Sequence, residues 1–250
     1  MKAMIFAAGL GTRLKPLTDT MPKALVKVGG RPMLERVILK LKSAGFDYIV
    51  VNIHHFGEQI IDFLKANNNF GVTIHISDER DFLLDTGGGI KKARVFFEQS
   101  DEPFLVHNVD IISNVDLKAL YDCHMSCGSV ATLSVSPRET SRYFLFDKQK
   151  KLSGWINKKT GQLKPEGFVF DETLYDSYAF SGIHVLSPRI FKYMDSRWEG
   201  KFSITDFYLA VCNRITITGL VKNNLRLIDI GKPETLAQAE AILTSGTPLQ

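Results

Sequence analysis

Hydrophobic and polar positions along this chain switch repeatedly between two periods. Ala3–Ala8 is a short continuous apolar run closed by Gly9, the pattern of a strand covered on both faces. Leu34, Val37, Ile38 and Leu41 recur at helical spacing and predict an amphipathic helix closed at Gly45. Tyr48–Ile53 predicts a second strand. Ile60, Ile61 and Leu64 predict a second helix, ended by Asn67-Asn68-Asn69 and Gly71, and Val72–Ile76 a third strand. Gly88–Phe97 reads as a helix, Phe104–Val109 as a strand, Asp116–Met125 as a helix and Val130–Val135 as a strand. Strands alternating with helices in this way predict an α/β fold, a mainly parallel sheet with helices on both faces.

The pattern changes after Pro137. Phe144–Asp147 and Leu152–Ile156 flank the polar Lys148–Lys151 and predict a hairpin; residues from Thr160 to Asp176 read as loop. Ala179–Leu186 returns to a buried strand. Helices are expected over Arg189–Asp195 and Ile204–Asn213, strands over Ile215–Val221 and Leu225–Ile230, and a closing helix over Lys232–Leu243. No internal repeat, low-complexity tract or long linker interrupts the chain. The expectation is a single domain over 1–250, with 1–136 as the main core and 137–250 as a smaller mixed or antiparallel lobe with the closing strand and helix.

Composition narrows the class. Of 250 residues, 44% are hydrophobic and 23% charged, the profile of an ordinary globular protein. No apolar run approaches the ~18–20 residues needed to cross a bilayer, so no membrane partner is expected. The net charge of +4 is spread over scattered Lys and Arg residues. That argues against nucleic acid as partner and suits a small anionic substrate. Three cysteines make no disulfide framework, and a cytoplasmic location is the expectation. Cys123-His124-Met125-Ser126-Cys127 has a spacing that invites a zinc reading, but no further ligand lies close in sequence. Small buried residues on a helix account for it. The apolar start, Ala3–Leu10, is too short for a signal peptide.

The first predicted strand runs into Ala8-Gly9-Leu10-Gly11-Thr12-Arg13-Leu14. Glycines here let backbone N–H groups approach phosphate oxygens. A dinucleotide fingerprint would need a small residue where Leu14 stands and an acidic residue where Asn52 ends the second strand. A Walker A loop would need Ser or Thr after Lys15, where Pro16 stands. A tight surface turn remains open for the glycines alone. Arg13 and the following Pro22-Lys23 add two cations able to neutralise a polyphosphate.

Ala8–Leu14 together with Pro22-Lys23 resembles the two-part signature of the sugar-1-phosphate nucleotidyltransferases, and the likeness runs to the end of the chain. It implies the Rossmann-like fold of the nucleotide-diphospho-sugar transferases. It also implies nucleotidyl transfer from a nucleoside triphosphate to a sugar 1-phosphate, Mg²⁺ as cofactor, and in many members a homodimer, for which the sequence holds no interface signal. On this resemblance Ala8, Gly9, Gly11, Thr12 and Arg13 bind the triphosphate, and Asp85, Thr86 and Gly87 belong to the loop that recognises the base. Lys23, Asn108, Ser181 and Gly182 contact the sugar phosphate; Asp110 and Asp229 hold the metal; Arg13, Lys23 and Asp110 carry the catalysis. Glu79 and Asp81 read either as base contacts or as a solvated loop, the second being preferred. His54-His55 receive no catalytic role, nor does His107, although it could lie just outside a metal site.

One departure from the family pattern is Val109, where the family most often has glycine before the aspartate. A branched residue cannot adopt a positive φ cheaply, so Val109 raises the alternative of a catalytically silent sensor of nucleotide sugars. The likeness is strongest to the short group acting on N-acetylmuramate 1-phosphate with UTP in cell-wall recycling. Guanylyl transfer to mannose 1-phosphate and cytidylyl transfer to phosphocholine stay open, and no left-handed β-helix tail is expected.

Overall fold

The computed structural model describes residues 1–244. In chain order the elements are β1 (Lys2–Phe6), a small ribbon of β2 (Lys27–Val28) and β3 (Arg31–Pro32), α1 (Met33–Ser43), β4 (Tyr48–Ile53), α2 (Gly57–Ala66) and β5 (Thr73–Asp78). There follow α3 (Asp85–Lys92), β6 (Phe104–Asn108), β7 (Ile111–Ser113), α4 (Leu117–Cys127) and β8 (Ala131–Ser136). The second half contributes β9 (Arg142–Phe146), β10 (Leu152–Asn157), β11 (Gln162–Lys164), β12 (Asp176–Leu186), α5 (Ile204–Val211), β13 (Ile217–Val221), β14 (Leu227–Asp229) and α6 (Pro233–Thr244).

One sheet runs through both halves in the order β11-β10-β9-β12-β6-β1-β4-β5, with β8 beside β12 and β13 beside β8. β1 lies between β4 and β6 and is parallel to both. The antiparallel character enters with β12, which pairs with β6, β8 and β9. β1 is apolar from Ala3 onward because both its faces are covered: Ala3 and Ile5 join the cluster under α1, α2 and α4, while Met4 joins the one formed with α3 and α5. α1 buries the predicted stripe of Leu34, Val37, Ile38 and Leu41. α4 starts where the Asp116 carboxylate accepts the Ala119 N–H at 2.9 Å and stops at Gly128, φ 65°.

Several expectations need correction. The segment read as loop between Thr160 and Asp176 contains β11, paired with β10. Arg189–Asp195 is a 3₁₀ helix over Pro188–Tyr193, begun by the Ser187 cap and Pro188. The helix expected over Gly88–Phe97 begins at Asp85 and gives way to 3₁₀ structure at Ala93–Phe96. β7 was not anticipated, because three residues are too few to show a period. Nor was it expected that β14 would leave the main sheet to pair with β7.

Three histidines sit in these layers: His107 and His184 are 1% exposed and His124 is 3% exposed. Burial pushes their pKa values down, to about 3 for His107 and His184 and about 4 for His124. An unfolded chain therefore takes up protons below about pH 6.5 that the native protein refuses. Stability is full above that pH and is lost as the pH falls, by up to about 1.4 kcal/mol per pH unit for each histidine. Urea midpoints should drop steadily between pH 7 and pH 5. His184→Leu, which removes a ring with both nitrogens unpartnered, should reduce that slope by about a third; an unchanged slope would refute the assignment.

Candidate active site

The site begins where β1 ends. The Asn52 Oδ1 at the end of β4 accepts the N–H groups of Ala7 at 2.7 Å and Ala8 at 3.3 Å, fixing the exit of β1. Asn52 Nδ2 donates to Glu79 Oε1 at 2.7 Å, and Glu79 Oε2 accepts the Leu84 N–H at 3.2 Å. Glu79 is wholly buried, and burial raises its carboxyl above the usual range, against the pull of these two hydrogen bonds. The solvated-loop reading thus holds for exposed Asp81 and fails for Glu79. The chain after β5 turns back so that Glu79 N–H meets Ile53 O at 2.8 Å, a contact no local pattern reveals.

Gly11 has φ 65°, and a Cβ there would lie 2.8 Å from Thr18 Cγ2 and 3.1 Å from Lys23 Cβ. Both the turn and the close approach require glycine. The Thr18 hydroxyl donates to Gly11 O at 2.8 Å, stapling the loop against the turn that bears Lys23. Around Gly9 the opposite holds, since an added Cβ would meet no protein atom within 4 Å. Lys23 is 9% exposed and its ammonium is paired with the Asp110 carboxylate.

Asp229 reaches the same place by pairing. The β7–β14 ladder sets Asp229 opposite Ile111, and Ile230 N–H donates to Asp110 O at 2.8 Å. The residue is exposed, yet its carboxylate lies among the side chains of Asp110, Lys23, Arg13 and Arg138. That enclosure and the charge of Asp110 raise its pKa, opposed by Lys23, Arg13 and Arg138. A Cβ on Gly231 would lie 2.8 Å from Asp229 Oδ1 and 2.9 Å from an Arg13 Nη, so glycine lets both side chains approach this point. Two neighbouring carboxylates are a hard-oxygen donor set that fits Mg²⁺ completed by phosphates and water. Among the described residues no group of three or more His, Cys, Asp and Glu could hold a metal. His124 is engaged instead with Thr132 Oγ1 at 2.9 Å.

These groups surround a cleft of about 290 Å³. Of the residues named from sequence, its wall includes Ala8, Gly9, Lys23, Asp85, Thr86, Asn108 and Asp110. Phe6, Leu83 and Lys201 line it too and had not been singled out for it. Gly11, packed against Thr18 and Lys23, the exposed Thr12 and Arg13, and Asp229 beside Asp110 are not among the residues that line it. The glycines after Thr86 are placed differently from a base-binding loop. Gly87 and Gly88 direct their N–H groups to Phe202 O at 2.9 and 3.3 Å, and a Cβ on Gly87 would collide with the Phe202 ring. They serve close packing of α3 on the 200–203 segment, and Thr86 Oγ1 accepts the Ile204 N–H at 3.0 Å. Gly182, φ 74°, sits at a bulge of β12, where a Cβ would lie 2.6 Å from Asn108 Nδ2. Ser181 is 2% exposed, its Oγ has no partner, and it is not among the residues that line the cleft.

The profile of a family described as Nucleotidyl transferase matches residues 2–246. The chain belongs to this nucleotidyltransferase family. It is 30% identical to an N-acetylmuramate alpha-1-phosphate uridylyltransferase of Caulobacter vibrioides, over 96% of each chain. It is 32% identical to a UTP–glucose-1-phosphate uridylyltransferase of Synechocystis, over 96% of this chain and 62% of that one. The chain spans between half and two thirds of the length of several curated relatives it matches. In fold it is similar to a UDP-glucose pyrophosphorylase of Acinetobacter baumannii, with a TM-score of 0.77 at 18% identity, over 99% of this chain and 95% of that one. In this member of the family Val109 does not take a positive φ; it belongs to the core cluster that holds Ile111 and Ile112 and also lines the cleft between Asn108 and Asp110. The strain expected at that position is absent.

Proposed function

We propose that this nucleotidyltransferase catalyses uridylyl transfer from UTP to N-acetylmuramate 1-phosphate or a related hexose 1-phosphate. An oxygen of the sugar phosphate forms a bond to the α-phosphorus, the bond from that phosphorus to the bridging oxygen breaks, and pyrophosphate leaves. The observation that carries this reading is the convergence of Lys23, Asp110 and Asp229 at the end of the glycine loop.

Such a displacement needs alignment and charge neutralisation rather than a protein nucleophile. Lys23 supplies a fixed, water-poor positive charge beside the sugar phosphate or the α-phosphate. Arg13 and the N–H groups of Gly11 and Thr12 bind the leaving pyrophosphate. Ala8 and Gly9 admit the triphosphate where no side chain obstructs it. Asp85 and Thr86 face the base, while Asn108, with Gly182 packed against it, positions the sugar. Asp110 and Asp229 would hold Mg²⁺, whose chemistry there is neutralisation of phosphate charge. Phe6 and Leu83 provide apolar surface for the base, and the Asn52–Glu79 pair keeps the loop in register.

Pyrophosphate release with Mg²⁺ tests this, with UTP, GTP, CTP and dTTP each crossed with N-acetylmuramate 1-phosphate, mannose 1-phosphate, glucose 1-phosphate and phosphocholine. Turnover should be highest with UTP and N-acetylmuramate 1-phosphate. Silence across the panel, with nucleotide still bound, would replace the enzyme with a sensor.

A further inference from the structure

A second cleft of about 420 Å³ opens between the β9–β10–β11 strands and the start of α5. Its charged lining is Arg138, Arg142, Lys164 and Asp206. Two of these satisfy each other: Lys164 Nζ lies 2.7 Å from Asp206 Oδ1 and 5.5 Å above the Trp155 ring, which also faces the cleft. Arg138 and Arg142 form no ion pair within 4.0 Å among the described residues. Arg138 donates through Nη2 to Phe180 O at 2.9 Å, but its Nε is buried without an acceptor. A buried guanidinium N–H left unpaired is costly, and a bound acceptor oxygen would relieve that cost.

β12 contributes to both regions. Phe180 lines the second cleft, and two residues on, Gly182 packs against Asn108 on the wall of the first. A sugar phosphate with its phosphate at Lys23 and Asp110, and its body passing Asn108, would reach the second cleft with its far side. Volumes of a few hundred Å³ are typical of pockets for ligands of this size.

Building on the transfer reaction proposed above, we infer that Arg138 and Arg142 form an anion subsite that selects acceptors bearing a carboxylate on the sugar body besides the 1-phosphate. The guanidinium forks match a carboxylate in geometry and charge. A neutral sugar would leave the Arg138 Nε without an acceptor and Arg142 without a counter-charge, and a cationic acceptor such as phosphocholine would meet like charge. None of the site residues assigned from sequence lines this cleft, because its parts come from four strands, a loop and a helix start.

The test uses two pairs of acceptors: N-acetylmuramate against N-acetylglucosamine 1-phosphate, which differ by the lactyl ether on O3, and glucuronate against glucose 1-phosphate, which differ by a carboxylate in place of the C6 hydroxymethyl group. Wild-type kcat/KM should favour the acidic member of each pair by about tenfold or more, the scale of one charge-assisted contact. Arg142→Gln and Arg138→Gln should each shrink that ratio by raising KM for the acidic acceptor, and Arg142→Lys should restore part of it. Equal losses for acidic and neutral acceptors would make the arginines phosphate contacts and overturn the inference, as would wild-type indifference to the acid group. Calorimetric binding of the same four compounds separates the two proposals. If no acceptor is turned over, the transfer reading fails; tighter binding of the acidic members would still support the subsite, and equal binding would sink it.

Discussion

Lys23→Ala should lower kcat by about 10²–10³-fold while leaving the protein folded, the range for removing one preorganised charge contact from a water-poor site. Among the described residues the ammonium is the cation paired with Asp110, and it is almost wholly enclosed. Its charge is therefore poorly screened by solvent and needs little reorganisation when negative charge moves between phosphates. The fold should survive because the Asp110 carboxylate left without its partner keeps about 20% of its side-chain surface open to solvent. Lys23→Met separates charge from bulk: it keeps most of the buried stem and should be as inactive as alanine. Lys23→Arg should rescue poorly, since a planar fork cannot occupy the place of a compact ammonium beside Asp110. Single-turnover pyrophosphate release at saturating substrate is the measurement. Near-normal turnover in Lys23→Met would show that the lysine only balances the Asp110 charge.

Why could Lys23 be found from sequence when Glu79 and Arg138 could not? Lys23 lies within a short segment of the glycine loop, so its part of the site is local: Thr18 staples Gly11 and the turn carrying Lys23 folds back directly. The long apolar strands and α1 are readable for a similar reason, because each shows its own period. Glu79 is one acidic residue in a charged stretch, and only the distant Asn52 amide explains its burial. Arg138 follows a strand and a proline, as many surface arginines do; its role depends on the Phe180 carbonyl and on strands that close around it. Gly87 and Gly88 mislead in the other direction. Glycine beside a helix start is expected where a ligand approaches and equally where backbone approaches, and here Phe202 and Gly200 occupy the space. β7 and β14, three residues each, carry the pairing that joins the two aspartates, and pairing between distant segments leaves no periodic trace.

Asp229→Asn should cost at least about 10²-fold in turnover at a Mg²⁺ concentration that saturates the wild type. The substitution keeps the shape of the side chain, and the β7–β14 ladder that presents it is built from backbone, so the loss belongs to the charge. Two explanations of that loss differ measurably. If Asp229 holds Mg²⁺ with Asp110, the half-saturating Mg²⁺ concentration rises by about tenfold or more, and high Mg²⁺ restores part of the rate. If Asp229 instead offsets the cations around it, Arg13, Arg138 and Lys23, the rate falls without a change in Mg²⁺ requirement. The neighbouring Asp110 carboxylate favours the first outcome: a carboxylate placed only to balance cations gains nothing from standing beside another, whereas a divalent ion gains from both. Asp110→Asn should raise the Mg²⁺ requirement too, and it additionally leaves the Lys23 ammonium enclosed without its partner. Its turnover should therefore fall further than that of Asp229→Asn, and its urea midpoint should fall as well. A double variant no worse than Asp110→Asn alone would mark the two carboxylates as one functional unit, because removing either would already have released the ion.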